Sequence, residues 1–373
     1  MTTAMPIIRP TLPSLEQLVS LIRTSWESGT VTNSQAVKAL EEEACRQTGA
    51  AHAVAVSSCT SGLMMAPRAL GLPAGGEVIV PSFTFTATAQ ALLWNDLVPV
   101  FADCVPGTCT LDPEDVARNI TPKTVAICAV AIYGLPPDID ALLGISRRHG
   151  IPLYFDSAQG LGATYRGQPL GGWGACEVFS LSPTKVVTSV EGGLITTNDA
   201  ALAARFRSMR DYGRDLNGLE DMVELGLSAR MSELHAAVGG WSLRNGYEWT
   251  KARMARIAVY RERLANLPGC WVQTFPEDRT SSGNYFVLFI SPRARASRDV
   301  VYKALGEEGI QTKRYFYPPL HEQTVFQRFV ARRSDDLNHT IQASREGLAL
   351  PLYSHMTWEQ LDTVCSAVER LLQ

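Results

Sequence analysis

Lys185 stands in SLSPTKVVTSVEGG, residues 180–193, between hydroxylated residues and a glycine pair. An amine that forms a Schiff base must first lose its proton, and burial or nearby positive charge lowers its pKa enough to allow this. A surface loop lysine is the plainer reading. Yet Ser180 and Ser182 before it and Glu191-Gly192-Gly193 after it suggest a tight turn into another strand. Three more segments carry groups that could serve such an amine. In SSCTSGL (57–63) a strand runs into a helix through small hydroxylated residues. The free N–H groups and positive dipole end of a helix start can hold a phosphate, with Thr60 and Ser61 adding hydroxyls. An ordinary N-cap accounts for the same residues. In PSFTFTATAQ (81–90), Phe83 and Phe85 alternate with threonines just beyond a strand, suited to stacking on a flat ring or to core packing. In PLYFDSAQG (152–160), Asp156 ends an apolar run, where an unpaired carboxylate is expensive. It suits a cationic partner such as a protonated pyridine nitrogen, or a helix N-cap.

The elements that would position these groups are legible as alternating short apolar runs and helix-length stretches. AVAVSS (53–58), EVIVP (77–81), VPVFA (98–102), VAICAVAI (125–132), PLYF (152–155), EVFSLS (177–182) and GLITT (193–197) read as seven strands. They are apolar throughout, as expected of strands covered on both faces. SGLMMAPRALG and IDALLGISRRHG between them read as helices, the second with a basic last turn and a terminal glycine. This predicts an α/β fold with a mostly parallel seven-stranded sheet between helices. A long periodic segment, about 231–266, leads to a smaller C-terminal α+β unit with a strand at 284–290 and helices near 298–308 and 357–371. The expected division is 1–250 and 251–373. Ligands of such sheets collect beyond the carboxyl ends of the strands, which brings the four segments together.

Composition narrows the function. The chain has 373 residues, 46% hydrophobic and 19% charged, with a net charge of −3. That balance gives no electrostatic reason to expect nucleic acid or a membrane as partner. The eight cysteines are scattered without a CxxC pair, so they read as small hydrophobes, and no metal site is expected. The N-terminal stretch lacks a basic start followed by a long apolar core, so a cytoplasmic protein without a signal peptide is expected.

Taken in order, phosphate cradle, aromatic, buried Asp and then Lys form the layout of a fold-type-I pyridoxal-phosphate enzyme. The sequence resembles the DegT family of nucleotide-sugar aminotransferases nearly end to end. The resemblance is carried by GTVTNSQAVKALEEE (29–43), EVIVPSFTFTATA (77–89), YGLPPDIDAL (133–142), DSAQGLGATYRG (156–167), FSLSPTKVVTSVEGG (179–193), LSARMSELHAAVGG (227–240) and GIQTKRYFYPPLH (309–321). It implies pyridoxal 5'-phosphate as cofactor, with Lys185 as Schiff-base lysine and proton shuttle. It also implies Asp156 at the pyridine nitrogen and Phe85 stacked on the ring. Thr60 and Ser61 would take the phosphate mostly through backbone N–H groups, aided by the Ser180 hydroxyl, and Gln159 would contact the ring oxygen. Arg230 would reach the neighbouring subunit's site, which implies a homodimer. Ser228 stands where the family commonly has Asn, a residue that reaches across the dimer to the phosphate. Ser157 likewise replaces a more usual Ala.

The implied reaction moves an amino group from L-glutamate to a nucleotide-linked keto sugar, with C4 of dTDP-4-keto-6-deoxyglucose favoured over a C3 ketone. Tyr315, Phe316, Tyr317 and His321 are candidates for the sugar side, or for packing around two prolines. A pyridoxamine-dependent dehydratase would have His in place of Lys185. A cyclitol aminotransferase would share every cofactor motif, and a non-catalytic regulator would keep the fold alone.

Overall fold

A computed structural model of the chain describes residues 5–329 and 331–373. The seven apolar runs form β1 (His52–Val56), β2 (Glu77–Pro81), β3 (Val98–Ala102), β4 (Thr124–Val130), β5 (Leu153–Asp156), β6 (Glu177–Ser180) and β7 (Gly193–Thr197). Across the sheet they lie in the order β1-β7-β6-β5-β4-β2-β3, and an eighth strand, Arg332–Arg333, pairs in parallel with β3. β7 runs antiparallel to β1 and β6. The other pairs are parallel. Two apolar cores, one on each face, cover these strands, which explains their continuous hydrophobic character. The run expected to reach residue 132 stops at Val130, because Ile132–Gly134 turn in a single 3-10 loop with Tyr133 at φ 57°. The Tyr133 N–H donates to Gln159 Oε1 at 2.7 Å, which holds that turn in place.

Helix ends follow local capping chemistry. Helices α1 (Leu15–Ser28) and α2 (Gln35–Thr48) precede the sheet. α3 (Cys59–Ala69) begins with a capping box between Ser58 and Ser61, and α4 (Thr86–Leu93) begins just after Phe85. The helix Ile139–His149 is capped by Asp138 at its start. It ends in Arg147, Arg148 and His149, which suit the negative end of the helix dipole. The long segment forms one helix, α5 (Glu233–Leu264), capped by Ser232.

The boundary expected at 250/251 falls inside α5. Its later residues Ile257, Tyr260 and Leu264 enter a second core with the three-stranded sheet of Cys270–Val272, Phe286–Ile290 and Gly347–Leu350. The chain then returns to the first unit. Leu320, Phe326 and Leu337 pack into the core of the large sheet, and Arg332–Arg333 extends that sheet. Residues after 250 are thus shared between the two cores.

Candidate active site

Lys185 is held by the loop between β6 and β7. Leu181 N–H donates to Gly192 O at 2.9 Å and Ser189 N–H to Leu181 O at 2.9 Å, which closes the loop into a narrow turn. Thr188 N–H donates to Ser242 Oγ of α5 at 2.9 Å, anchoring the turn from outside. The glycine pair has a steric cause: a Cβ on Gly193 would lie 2.7 Å from Cys59 N, so only glycine lets β7 pass the start of α3. Lys185 is half-buried and lines a chamber of about 440 Å³ at the carboxyl ends of the strands, within the ~300–1,000 Å³ range of small-molecule sites. Its Nζ lies 5.9 Å from the centroid of the Tyr285 ring. Burial lowers the Lys185 pKa, and the Asp156 charge opposes that shift only in part. The amine therefore reaches its neutral, nucleophilic form more readily than an ordinary lysine.

Asp156 ends β5 and is 4% exposed. Its carboxylate accepts from Thr88 Oγ1 at 2.6 Å and from Ala158 N–H at 3.1 Å. Burial raises its pKa, while these two donors and the Lys185 charge lower it. Hydrogen bonds to a charged group contribute roughly 1.5–3 kcal/mol each, against several kcal/mol for burying a carboxylate. The carboxylate has no ion pair among the described residues, so the chamber has room for a cation that would complete it. Cys59, a second potential nucleophile in the same chamber, is held as a neutral thiol. Burial and then the Asp156 charge push its pKa well above the thiol range.

The two phenylalanines divide the roles that their alternation left open. Phe83 is fully buried against Tyr133 and Phe316. Phe85 is 55% exposed and lines the chamber. Gln159 and Ser180 also line it, as does Thr60 at the start of α3. Ser61 does not. Its N–H donates to Ser58 Oγ at 3.1 Å and its hydroxyl donates to Ser58 O at 2.7 Å, so the N-cap reading describes this residue. The helix-start N–H groups left for an anion are those of Cys59 and Thr60.

Tyr315 and Phe316 line the Lys185 chamber and also a second, outer chamber that Tyr317 joins. His321 lines neither. It is buried with Nδ1 2.7 Å from Ser82 Oγ, and it fixes the end of β2 instead of facing a ligand. Ser228 and Arg230 also lie outside both chambers. Ser228 is exposed and bridges Asp211. Arg230 Nη1 is 3.2 Å from Asp211 Oδ1, with its guanidinium over the Tyr212 ring.

Sequence reasoning missed Thr88, Cys59, Tyr285 and Lys313, which all line the chamber or touch its groups. Thr84 stands just before α4 and Thr88 in its first turn. Their Oγ1 atoms are 3.1 Å apart. Tyr285 stands just before the strand Phe286–Ile290 and packs with Phe83, Tyr133 and Phe316, and no local pattern announces it.

These residues fit a flat, anionic, aldehyde-bearing cofactor. The buried carboxylate lacks a cation, an exposed aromatic flanks the chamber, helix-start donors are free, and a lysine with lowered pKa lies between them. A family profile described as DegT/DnrJ/EryC1/StrS aminotransferase matches residues 15–369. The GDP-perosamine synthase of Caulobacter vibrioides is 35% identical over 327 residues, covering 87% of this chain and 86% of that protein. The pleiotropic regulatory protein of Geobacillus stearothermophilus is 32% identical over 333 residues, covering 89% and 88%. The crystal structure of DesI in the presence of its TDP-sugar product superposes with a TM-score of 0.91 at 34% identity, covering 99% of this chain and 93% of that one. The chain belongs to the DegT/DnrJ/EryC1/StrS family and is a pyridoxal-phosphate-dependent sugar aminotransferase.

Proposed function

We propose that the chain transfers an amino group from L-glutamate to C4 of dTDP-4-keto-6-deoxyglucose, giving a dTDP-4-amino-4,6-dideoxy sugar. The observation that carries this reading is one chamber holding Lys185 and Asp156 that shares a wall with an outer, carboxylate-free chamber. The first suits the reacting carbons and the second an anionic handle. A relative whose structure was determined in the presence of its TDP-sugar product supports the nucleotide-linked acceptor.

Pyridoxal phosphate, when bound, supplies an electron sink for negative charge at the carbon losing its proton. Asp156 would hold the ring nitrogen charged, Phe85 would cover one ring face, and Gln159 would contact the ring oxygen. Thr60, Cys59 and Ser180 would take the phosphate. Lys185 Nζ, whose pKa burial lowers, would take the α-proton of glutamate and later return a proton to the sugar carbon. The Tyr285 ring lies beside that amine.

Arg230 and Ser228, outside this chamber, would serve a second copy's site in a homodimer. Ser228 is too short to replace an Asn reaching across, so a shared phosphate contact there would run through water. No helix among the described residues is long and apolar enough to cross a membrane.

A panel of 3-keto and 4-keto nucleotide sugars, incubated with glutamate and read by product mass and NMR, tests the assignment. A 4-amino dTDP sugar is expected. A 3-amino product, or amination of a free cyclitol alone, would overturn it. Ligand binding without turnover of any substrate in the panel would favour a regulatory role.

A further inference from the structure

The outer chamber, about 380 Å³, shares Phe85, Tyr315, Phe316 and Lys313 with the Lys185 chamber. Its charged lining consists of Lys313 and Arg314, with no carboxylate. Two of its hydroxyls, Thr86 Oγ1 and Thr312 Oγ1, are buried without a hydrogen-bond partner, and Thr312 is only 8% exposed. Buried polar atoms are normally satisfied, so two unsatisfied hydroxyls beside two cations describe a seat for an oxyanion.

The two cations differ. Arg314 lies over Tyr302 at 4.8 Å and Tyr317 at 5.5 Å, and its Nη1 is 3.3 Å from Asp299, which also pairs with Arg298 at 2.6 Å. It belongs to the outer chamber alone. Lys313 is on the shared wall. Its backbone is fixed by a pair of hydrogen bonds with Ala349, at 3.1 and 2.7 Å, and its Nζ lies 5.6 Å from the Tyr315 ring centroid. Among the described residues the only lysine in an ion pair is Lys303, so Lys313 carries an uncompensated charge that faces both chambers.

We propose that Lys313 is the anion anchor used in both half-reactions, holding the distal carboxylate of the dicarboxylate donor and then a phosphate of the acceptor, with Arg314, Thr86 and Thr312 seating the diphosphate in the outer chamber. This rests on the nucleotide-sugar reading above. An aminotransferase must admit two unlike substrates to one amine, and glutamate and a sugar diphosphate share an anion some distance from the reacting carbon. A cation on the common wall serves each in turn, whereas Arg314 is placed for the larger substrate only.

The test uses cofactor-loaded enzyme and two equilibrium titrations. Glutamate is titrated against the cofactor absorbance, with alanine as a donor that lacks the distal carboxylate, and dTDP, GDP and inorganic pyrophosphate are titrated by calorimetry. Lys313→Gln is expected to raise the half-saturating glutamate concentration about tenfold or more, leave alanine unchanged and weaken diphosphate binding by a similar factor. Lys313→Arg should restore much of both. Arg314→Gln should weaken diphosphate binding and leave glutamate unchanged. Retained cofactor absorbance in each variant shows that the fold is intact. Unchanged glutamate response in Lys313→Gln, or an equal effect on alanine, overturns the shared anchor. Wild-type enzyme that binds dTDP or GDP as tightly as both variants overturns the outer seat while sparing the nucleotide-sugar reading. Wild-type enzyme that binds none of the three diphosphates overturns that reading as well.

Discussion

The Lys185 chamber and the segment from Tyr212 to Arg230 are built in opposite ways. In the chamber, strand ends, a helix start and a buried network meet, and Asp156, Thr88 and Tyr285 are each less than a tenth exposed. In the segment, Leu216, Leu219, Met222, Val223 and Leu225 are all more than half exposed, with Tyr212 close to that. Helix α1 has no buried residue at all, and its Leu15 and Trp26 face outward. Clusters of exposed apolar side chains of this kind suit a contact face. The contrast teaches that the chain builds the Lys185 chamber from its own sheet, while Ser228 and Arg230 lie outside that chamber, in a segment rich in exposed apolar side chains.

The largest expected effect lies in the chamber. Lys185→Ala should lower turnover by about 10²–10⁴-fold, the typical contribution of a positioned acid–base group, with the light-scattering mass unchanged. Full turnover in that variant would break the chamber side of the contrast. The proposed homodimer predicts that the paired change Leu219→Glu with Leu225→Glu yields a monomer whose turnover falls at least about tenfold, since charge in a desolvated interface is costly. A monomer of full activity would show that the chamber needs no second copy. Thr88→Ala removes one of the two donors to Asp156 and should cost about tenfold in cofactor affinity, read by absorbance during dialysis. Unaltered affinity would place Asp156 outside cofactor binding.

The smallest effect is on stability. Glu177 accepts from Ser157 Oγ, Gly171 N–H and Trp173 N–H, and burial pushes its pKa from 4.5 up to about 7. The folded state then binds a proton that the unfolded state has released. Its contribution is present below pH 4.5 and is lost as pH rises through about 7. Wild-type melting temperature should fall over that window more than that of Glu177→Gln, and parallel curves would remove Glu177 as the cause. The same bond gives Ser157 a use that the more usual Ala lacks.

Seven strands were legible because strands covered on both faces must be apolar throughout. The eighth, Arg332–Arg333, was not, since two polar residues at a sheet edge carry no such pattern. Lys185, Asp156, Phe85, Gln159, Ser180 and Thr60 meet because each lies near the carboxyl end of a strand, a consequence of topology that sequence order alone conveys. Ser61 and His321 were ambiguous from type: a serine at a helix start caps as readily as it binds, and a histidine beside prolines packs as readily as it recognises. Tyr285 and Lys313 reach the chamber from the C-terminal part of the chain, and only the folded arrangement reveals them.

Of the two lysines lining the chamber, Lys185 is the proposed reacting amine. Borohydride reduction of the cofactor-loaded enzyme followed by peptide mass mapping tests it directly. The cofactor mass fixed on the peptide containing Lys185 is the predicted result. The same mass on the Lys313 peptide, with Lys185 unmodified, would contradict the account.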